Sequence, residues 1–301
     1  MLIIFCYNTL NNKRVDSDYL VEYNTAKELG LETGLIDFEE LVTNKNAKLA
    51  TAKVPSMDYM KQAVYRGWML RPEHYESLYN TLLAKNIQLI NSPEEYKHCH
   101  HFCNSYDLIK DHTPKSVYAS KEELGAQLEN ISYYTSIFGD NAIIVKDYVK
   151  SRKHEWFEAC YIPKASDTQH VVKVVRKLID LQGDQFNGGI VFREFVKLEH
   201  LTMHDQSGMP LSKEFRIFFI HGEPTYTTKY WDEGDYEDIK PNMENFLDVA
   251  RTVRSKFFTM DIAKTVGGSW VIIELGDGQV AGLPDSAVLA DFYTKLKNKL
   301  T

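Results

Sequence analysis

The chain has little of what most readily betrays a function. It has four cysteines in 301 residues, Cys6, Cys99, Cys103 and Cys160. That is too sparse for a disulfide scaffold, and the simplest setting is a reducing, cytoplasmic one. It has no apolar run of membrane-spanning length. The opening run MLIIFCY is short, lacks a basic leader and is followed by Asn8-Thr9-Leu10-Asn11-Asn12, so it reads as a buried first strand and not as a signal peptide. It has no excess of positive charge: 35 Lys+Arg stand against 42 Asp+Glu, a net −7. This balance excludes a protein that wraps nucleic acid by bulk charge, leaving only a local basic groove open. There is no internal repeat, no low-complexity tract, no GxGxxG and no GxxxxGK[ST], so neither the dinucleotide fingerprint nor the P-loop is available.

What remains is an ordinary globular composition, 44% hydrophobic and 26% charged, with enough length for two or three compact units. The first third alternates strands and helices. Met1–Tyr7 is a strand, Asp16–Leu29 a helix stopping at Gly30, and Glu32–Asp37 a second strand. Ala63–Leu70 reads as a strand, Arg71-Pro72-Glu73 opens a helix, Asn86–Asn91 is a strand, and Ser92-Pro93-Glu94-Glu95 caps the next helix. This rhythm implies a small, mainly parallel sheet over residues 1–110. From about Lys115 the strands lengthen and look antiparallel: Ala142–Tyr148, Gly189–Leu198, Lys213–His221 and Glu223–Trp231. Helices are expected at Thr168–Leu181, Met243–Lys256 and Ser286–Leu300, with an acidic loop at Trp231–Pro241.

The chemistry gathers in the second part. In FFTMDIAKTVGGSWVIIELGDGQVAGLP, residues 257–284, two strand-like runs flank a Gly-Gly turn. Asp261 lies in the first, Glu274 closes the second and Asp277 follows. Facing carboxylates on neighbouring strands can share a hard divalent cation; a solvated hairpin tip is the alternative. Lys146 sits inside the apolar run AIIVKDYVKS, where a lysine needs an anionic partner. Lys150 and Ser151 follow in a cationic turn suited to phosphate oxygens, while Arg152 and Lys153 read as its solvated tip. In KEFRIFF, Glu214 and Arg216 alternate with Phe215 and Ile217 and so share one face. The return strand brings Lys229, which can join Arg216 on one anion or bridge to Glu214.

The ordered set of Lys146, the REFV stretch Arg193–Val196, the E-x-R strand with Glu214 and Arg216, Lys229, then Asp261 and Glu274 resembles the ATP-grasp superfamily over roughly residues 110–301. The phrases YRGWMLRPEHYESLY, SPEEYKHCHHF, EFRIFF and VIIELGDG look like a viral and bacterial branch of it, described by arginines and a lysine in the active site. The resemblance implies an α+β fold, with a small α/β domain at 1–110 before an ATP-grasp domain at 111–301, split into 111–195 and 196–301. It implies ATP and Mg²⁺ as cofactors, and a ligase that joins a small-molecule or peptide carboxylate to an amine through an acyl-phosphate. By position, Lys146 and Lys150 would contact phosphates, and Glu194 with Phe195 and Val196 would hold adenine. Glu214 or Glu199 would reach the ribose, Arg216 and Lys229 would serve the γ-phosphate and acyl-phosphate, and Asp261, Glu274 and Asp277 would hold metal. One departure stands out: where the superfamily often has Asn two residues past the last metal-binding Glu, this chain has Gly276 and then Asp277.

Two further readings accompany it. An ATP-binding assembly or regulatory protein, or an enzyme acting on nucleic acid, would use the same nucleotide site with another output; no membrane partner is expected. The cluster His98-Cys99-His100-His101-Phe102-Cys103 has metal-ligand residue types but lacks a distant second ligand pair, so a helix end packed on the core is preferred over zinc.

Overall fold

A computed structural model describes residues 1–126, 128–204 and 208–300. The N-terminal sheet is built from β1 (Leu2–Asn8), β2 (Asn11–Val15), β3 (Glu32–Ile36), β4 (Lys61–Arg66) and β5 (Ile87–Leu89). β1 pairs in parallel with both β3 and β4, and β4 with β5, while β2 folds back antiparallel on the end of β1. The helices between them are positioned by local chemistry. Gly30, at φ +70°, ends the helix Leu20–Glu28. Ser92 and Glu95 form a reciprocal capping box on the helix Pro93–His100.

Two more sheets follow. β6 (Ser116–Ser120), β7 (Ile143–Asp147), β8 (Tyr161–Ile162) and β9 (Gly189–Glu194) form an antiparallel sheet in the order β6-β9-β7-β8. The helix Thr168–Gln182 packs on it through Val171, Val174, Val175 and Leu178. A short antiparallel pair, β10 (His200–Met203) and β11 (Pro210–Ser212), leads to β12 (Glu214–Ile220), β13 (Glu223–Lys229), β14 (Phe257–Lys264) and β15 (Trp270–Asp277), ordered β13-β12-β14-β15.

One face of this last sheet packs Phe215, Ile217, Phe219, Phe258, Met260 and Ile262 against Phe246 and Ala250 of the helix Glu244–Thr252. The other face is divided. Phe218, Ile220 and Phe257 join Ile3, Phe5 and Val64 of the N-terminal sheet and Phe292 of the C-terminal helix Leu289–Leu300 in one core. The opposite end of that face carries Glu214, Arg216 and Asp261. The N-terminal unit is thus welded to the last sheet, and the polar end opens towards the middle sheet.

The boundaries differ from expectation where tertiary packing intervenes. β4 stops at Arg66 because Gly67–Arg71 is pinned as a loop by tyrosine hydroxyls. β9 stops at Glu194, β12 begins at Glu214, and the last helix begins at Leu289, three residues after Ser286. The short helices Phe38–Val42 and Ala47–Ala50 and the strand β6 carry too few periodic residues to be read in advance.

Candidate functional site

A row of side chains crosses the last sheet. Thr228, Arg216, Asp261 and Glu274 lie opposite one another on β13, β12, β14 and β15, so they share the open face. Arg216 grips Asp261 with two nitrogens, Nε to Oδ1 at 2.8 Å and Nη2 to Oδ2 at 2.7 Å. Its Nη1 donates to the Gly282 carbonyl at 2.9 Å, and the Tyr230 ring covers its guanidinium at 4.7 Å. These bonds use three of its five N–H groups, leaving two for a ligand. Burial raises the Asp261 carboxyl above its usual range, opposed by Arg216.

The middle sheet supplies the facing charge. Lys146 on β7 is buried, and its Nζ donates to Glu274 Oε2 at 2.7 Å. Burial would raise the Glu274 pKa, but Lys146 overcomes it and holds the carboxyl at about 2. Beyond β7 the chain turns at Asp147, whose carboxylate accepts from the Val149 and Lys150 N–H groups at 2.7 and 2.5 Å. The Lys153–Glu155 helical turn then folds Lys153 back beside Glu214, with Nζ 5.3 Å from the Tyr230 ring and 5.1 Å from that of Trp231. Glu214 is 3% exposed, and burial lifts its pKa to about 7 although Lys153 opposes the rise.

Three openings lie around these residues. A slot of about 330 Å³ runs between the sheets, walled by Ile144, Trp156, Phe195, Val196, Leu198 and Trp231, with Glu214 and Lys153 at its inner end. Its size and lining suit one flat ring system with a few polar contacts. A small void of about 50 Å³ lies between Lys146, Arg216, Asp261 and Glu274. A larger cavity of about 550 Å³ opens towards the N-terminal sheet.

The structure brings several expected residues together: Lys146, Arg216, Asp261 and Glu274 border the void, and Glu194, Phe195, Val196 and Glu214 line the slot. Within the slot the Phe195 N–H is committed to the Ala142 carbonyl at 2.9 Å, whereas the Val196 backbone makes no hydrogen bond among the described residues. Four expected placements need correction. Lys229 lies opposite Phe215, so it shares the apolar face and sits 5.1 Å from the Tyr236 ring, away from Arg216. Glu199 does not line the slot; it is held by Lys213 at 3.1 Å and Lys264 at 2.9 Å. Asp277 borders the void but lies opposite Phe258, and its carboxylate is taken up by hydrogen bonds from Asn91 Nδ2 at 2.6 Å and Gln279 N at 2.9 Å. Lys150 is exposed and lines the larger cavity, not the slot.

The important omission is Lys153, read as a solvated tip but placed among Glu214, Tyr230 and Trp231. The Trp231 Nε1 is buried in the slot wall without a hydrogen-bond partner among the described residues. The only sequence signal was the adjacent Tyr-Trp pair in an otherwise acidic loop.

The donor set suits Mg²⁺. Among the described residues no three His, Cys, Asp or Glu gather into an all-protein cage. Mg²⁺ at nucleotide sites usually takes only one or two carboxylates, completing its shell with water and phosphate. Asp261 and Glu274 face each other across β14 and β15, and Glu274 Oε1 makes no hydrogen bond among the described residues. At Gly276 a Cβ would lie 2.7 Å from Thr259 Oγ1, so the glycine lets β15 run close to Thr259. The His98–Cys103 segment is a helix junction, with Cys99 fully buried in the core and His100 stacked on Tyr96 at 4.8 Å. Burial drives the His100 pKa down to about 3, so its ring is neutral.

Comparisons with known proteins agree with this geometry. Residues 137–296 match a family described as an ATP-grasp domain, family 3 of its clade. No curated protein matches. Among solved structures, D-alanine–D-alanine ligase from Bacillus anthracis complexed with ATP is 14% identical at a TM-score of 0.57, covering 99% of this chain and 94% of that one. D-cycloserine synthetase DcsG is 12% identical at a TM-score of 0.60, covering 100% of each chain. The ATP-grasp ligase PsnB complexed with minimal precursor, Mg and ADP is 11% identical at a TM-score of 0.57, covering 100% and 97%. At these identities the likeness shows the fold, which is the α+β ATP-grasp fold.

Proposed function

Because the chain belongs to the ATP-grasp superfamily, in the third family of its clade, we propose that it is an ATP- and Mg²⁺-dependent ligase joining a carboxylate to an amine through an acyl-phosphate. The observation that carries this reading is the row Arg216–Asp261–Glu274 closed by Lys146 from the facing sheet, beside an apolar slot of nucleoside size.

In this reading the adenine ring lies in the slot against Phe195, Leu198 and Trp231, and meets the unpaired Val196 backbone. Glu214, at the inner end, accepts from the ribose, and Lys146 and Lys153 bind phosphate oxygens. The two remaining N–H groups of Arg216 face the γ-phosphate. Asp261 and Glu274 would hold Mg²⁺, which when bound neutralises charge on the β- and γ-phosphate oxygens. A carboxylate oxygen of the acid attacks the γ-phosphorus, the bond to the β–γ bridging oxygen breaks, and ADP departs. The amine then attacks the acyl carbon, and phosphate leaves and takes up the extra proton that the nitrogen loses. Such chemistry needs preorganised cations more than a side-chain nucleophile, which is what the site offers.

In this reading the units 111–195 and 196–301 enclose the nucleotide, and 1–110 supplies one wall of the acid-binding cavity. A cytoplasmic enzyme acting on small molecules or peptides fits this reading, and no helix among the described residues is long and apolar enough to cross a membrane. Single-turnover ADP release tests it. Release stimulated by a carboxylic acid is expected. Tight ATP binding with no ADP formed across a broad panel of acids and amines would favour an assembly or regulatory protein instead.

A further inference from the structure

We infer that the large cavity under the Gly67–Arg71 loop selects the acid to be activated by an aromatic or bulky apolar group, so that the substrate is a carboxylic acid of about dipeptide size and not a bare small acid. The inference rests on the ligase reading for the fate of the carboxylate, but its binding claim stands on the geometry of the loop.

The central void, at about 50 Å³, has no space for more than the reacting groups. Met69, His100, Val149 and Val280 wall both that void and the cavity of about 550 Å³ beside it. An acid with its carboxylate at the void must therefore extend its body into the cavity. Cavities of about 300–1,000 Å³ are those that enclose ligands of many heavy atoms. The side facing the N-terminal sheet is formed by Tyr19, Phe38, Val42, Trp68 and Met69.

The loop that presents Trp68 and Met69 is held from beneath. Tyr65 Oη donates to the Trp68 carbonyl at 2.9 Å. Tyr96 Oη donates to the Leu70 carbonyl at 2.7 Å and accepts from its N–H at 3.1 Å. Both tyrosines are fully buried. A Cβ at position 67 would lie 2.5 Å from Tyr65 Oη and 2.7 Å from Cys6 Sγ, so glycine alone lets the chain pass over them. The indole is fixed in turn: Trp68 Nε1 donates to Asp16 at 3.2 Å, and the Tyr19 ring meets it edge-on at 5.6 Å.

Despite these restraints Trp68 is 39% exposed and Met69 43%. A rigidly held indole with an open face over a cavity has already lost the conformational freedom that ligand binding would otherwise remove, and such aromatics anchor ligands. Lys150, exposed at the rim, and Arg71, whose guanidinium donates to the Asp184 carbonyl, add positive charge for an acid approaching the void.

The test is titration calorimetry of the full chain with N-acetyl amino acids and N-acetyl dipeptides that differ in their C-terminal side chain. Binding of the phenylalanine and leucine compounds at least about tenfold tighter than that of N-acetylglycine is expected. Trp68→Ala should abolish the preference and Trp68→Phe should restore it. Equal affinity for N-acetylglycine, no measurable binding of any compound, or a preference that survives Trp68→Ala would overturn the inference. ADP release by the wild-type protein is read separately: if a bulky acid binds at Trp68 but never stimulates ADP release, the ligase reading fails and the cavity assignment stands.

Discussion

Lys146 and Glu274 belong to different sheets, yet their side chains meet at 2.7 Å and close the site between them. The pair ties the middle and last sheets together across the proposed nucleotide site. Asp261 is held differently, by both arms of Arg216 within its own sheet. The side chains of Asp261 and Glu274 are 2% and 32% exposed, and this difference separates the effects of neutralising each.

Glu274→Gln should eliminate the Mg²⁺-dependent part of nucleotide stabilisation while lowering unliganded stability by only about 1–2 kcal/mol, because the Glu274 carboxylate is itself partly solvated and the amide oxygen that replaces it can still accept from the buried Lys146. Asp261→Asn should also eliminate it, but at a larger loss of about 3 kcal/mol, since it strands a largely buried guanidinium. Thermal melts with and without ATP and Mg²⁺ distinguish the two. Equal, small losses would contradict the burial argument.

The two lysines near β12 should part company. Lys153→Ala removes a cation set beside Glu214 and should weaken ATP binding at least about tenfold, the loss of one charge-assisted phosphate contact. Lys229→Ala removes a side chain on the far face and should change ATP affinity by less than about twofold. Equilibrium binding of a fluorescent ATP analogue measures both.

Asp277 makes stability depend on pH. Its carboxyl is 2% exposed and has no cationic partner among the described residues; burial lifts its pKa to about 7 against the hydrogen bonds from Asn91 and Gln279. An acid whose folded pKa exceeds its unfolded value keeps its proton longer when folded. Its contribution is full below the unfolded value of 3.8 and is lost as pH rises through about 7. Between pH 5 and 7.5 the wild type should lose stability of the order of a few kcal/mol relative to Asp277→Asn. Parallel denaturant midpoints for the two proteins over that range would refute this.

Arg66 ties the N-terminal unit to the site from behind. It takes Glu22 in a two-armed pair at 2.9 and 3.0 Å and donates through Nη1 to the carbonyls of Gly278, Gln279 and Ala281 at 3.1, 3.1 and 2.9 Å. Arg66→Lys should cost about 3 kcal/mol or more, because an ammonium cannot reproduce the planar fork in a fully buried place. A chemical-denaturation midpoint close to wild type would show that the fork is dispensable.

Much of the site could be read in advance because it depends on alternation along single strands. Glu214 and Arg216 share a face for that reason, and Asp261 and Glu274 meet because one Gly-Gly hairpin joins their strands. Lys229 was misplaced because its face depends on register. The two-residue turn His221-Gly222, at φ +51° and +75°, and an irregularity at Phe218/Phe219 put Lys229 opposite Phe215. A one-residue slip would have reversed its face, and nothing local specifies which register forms. Lys153 and Asp277 escaped for another reason. Their partners, Glu214 and Asn91, are brought to them only by the packing of separate units.

The central claim is that ATP and Mg²⁺ bind between the middle and last sheets. A crystal structure grown with a non-hydrolysable ATP analogue and Mn²⁺, read by its anomalous signal, tests it most directly. A manganese peak bridging Asp261 and Glu274, with adenine between Phe195 and Trp231, is the predicted result. Manganese absent from that carboxylate pair, or the nucleotide bound outside the slot, would contradict it.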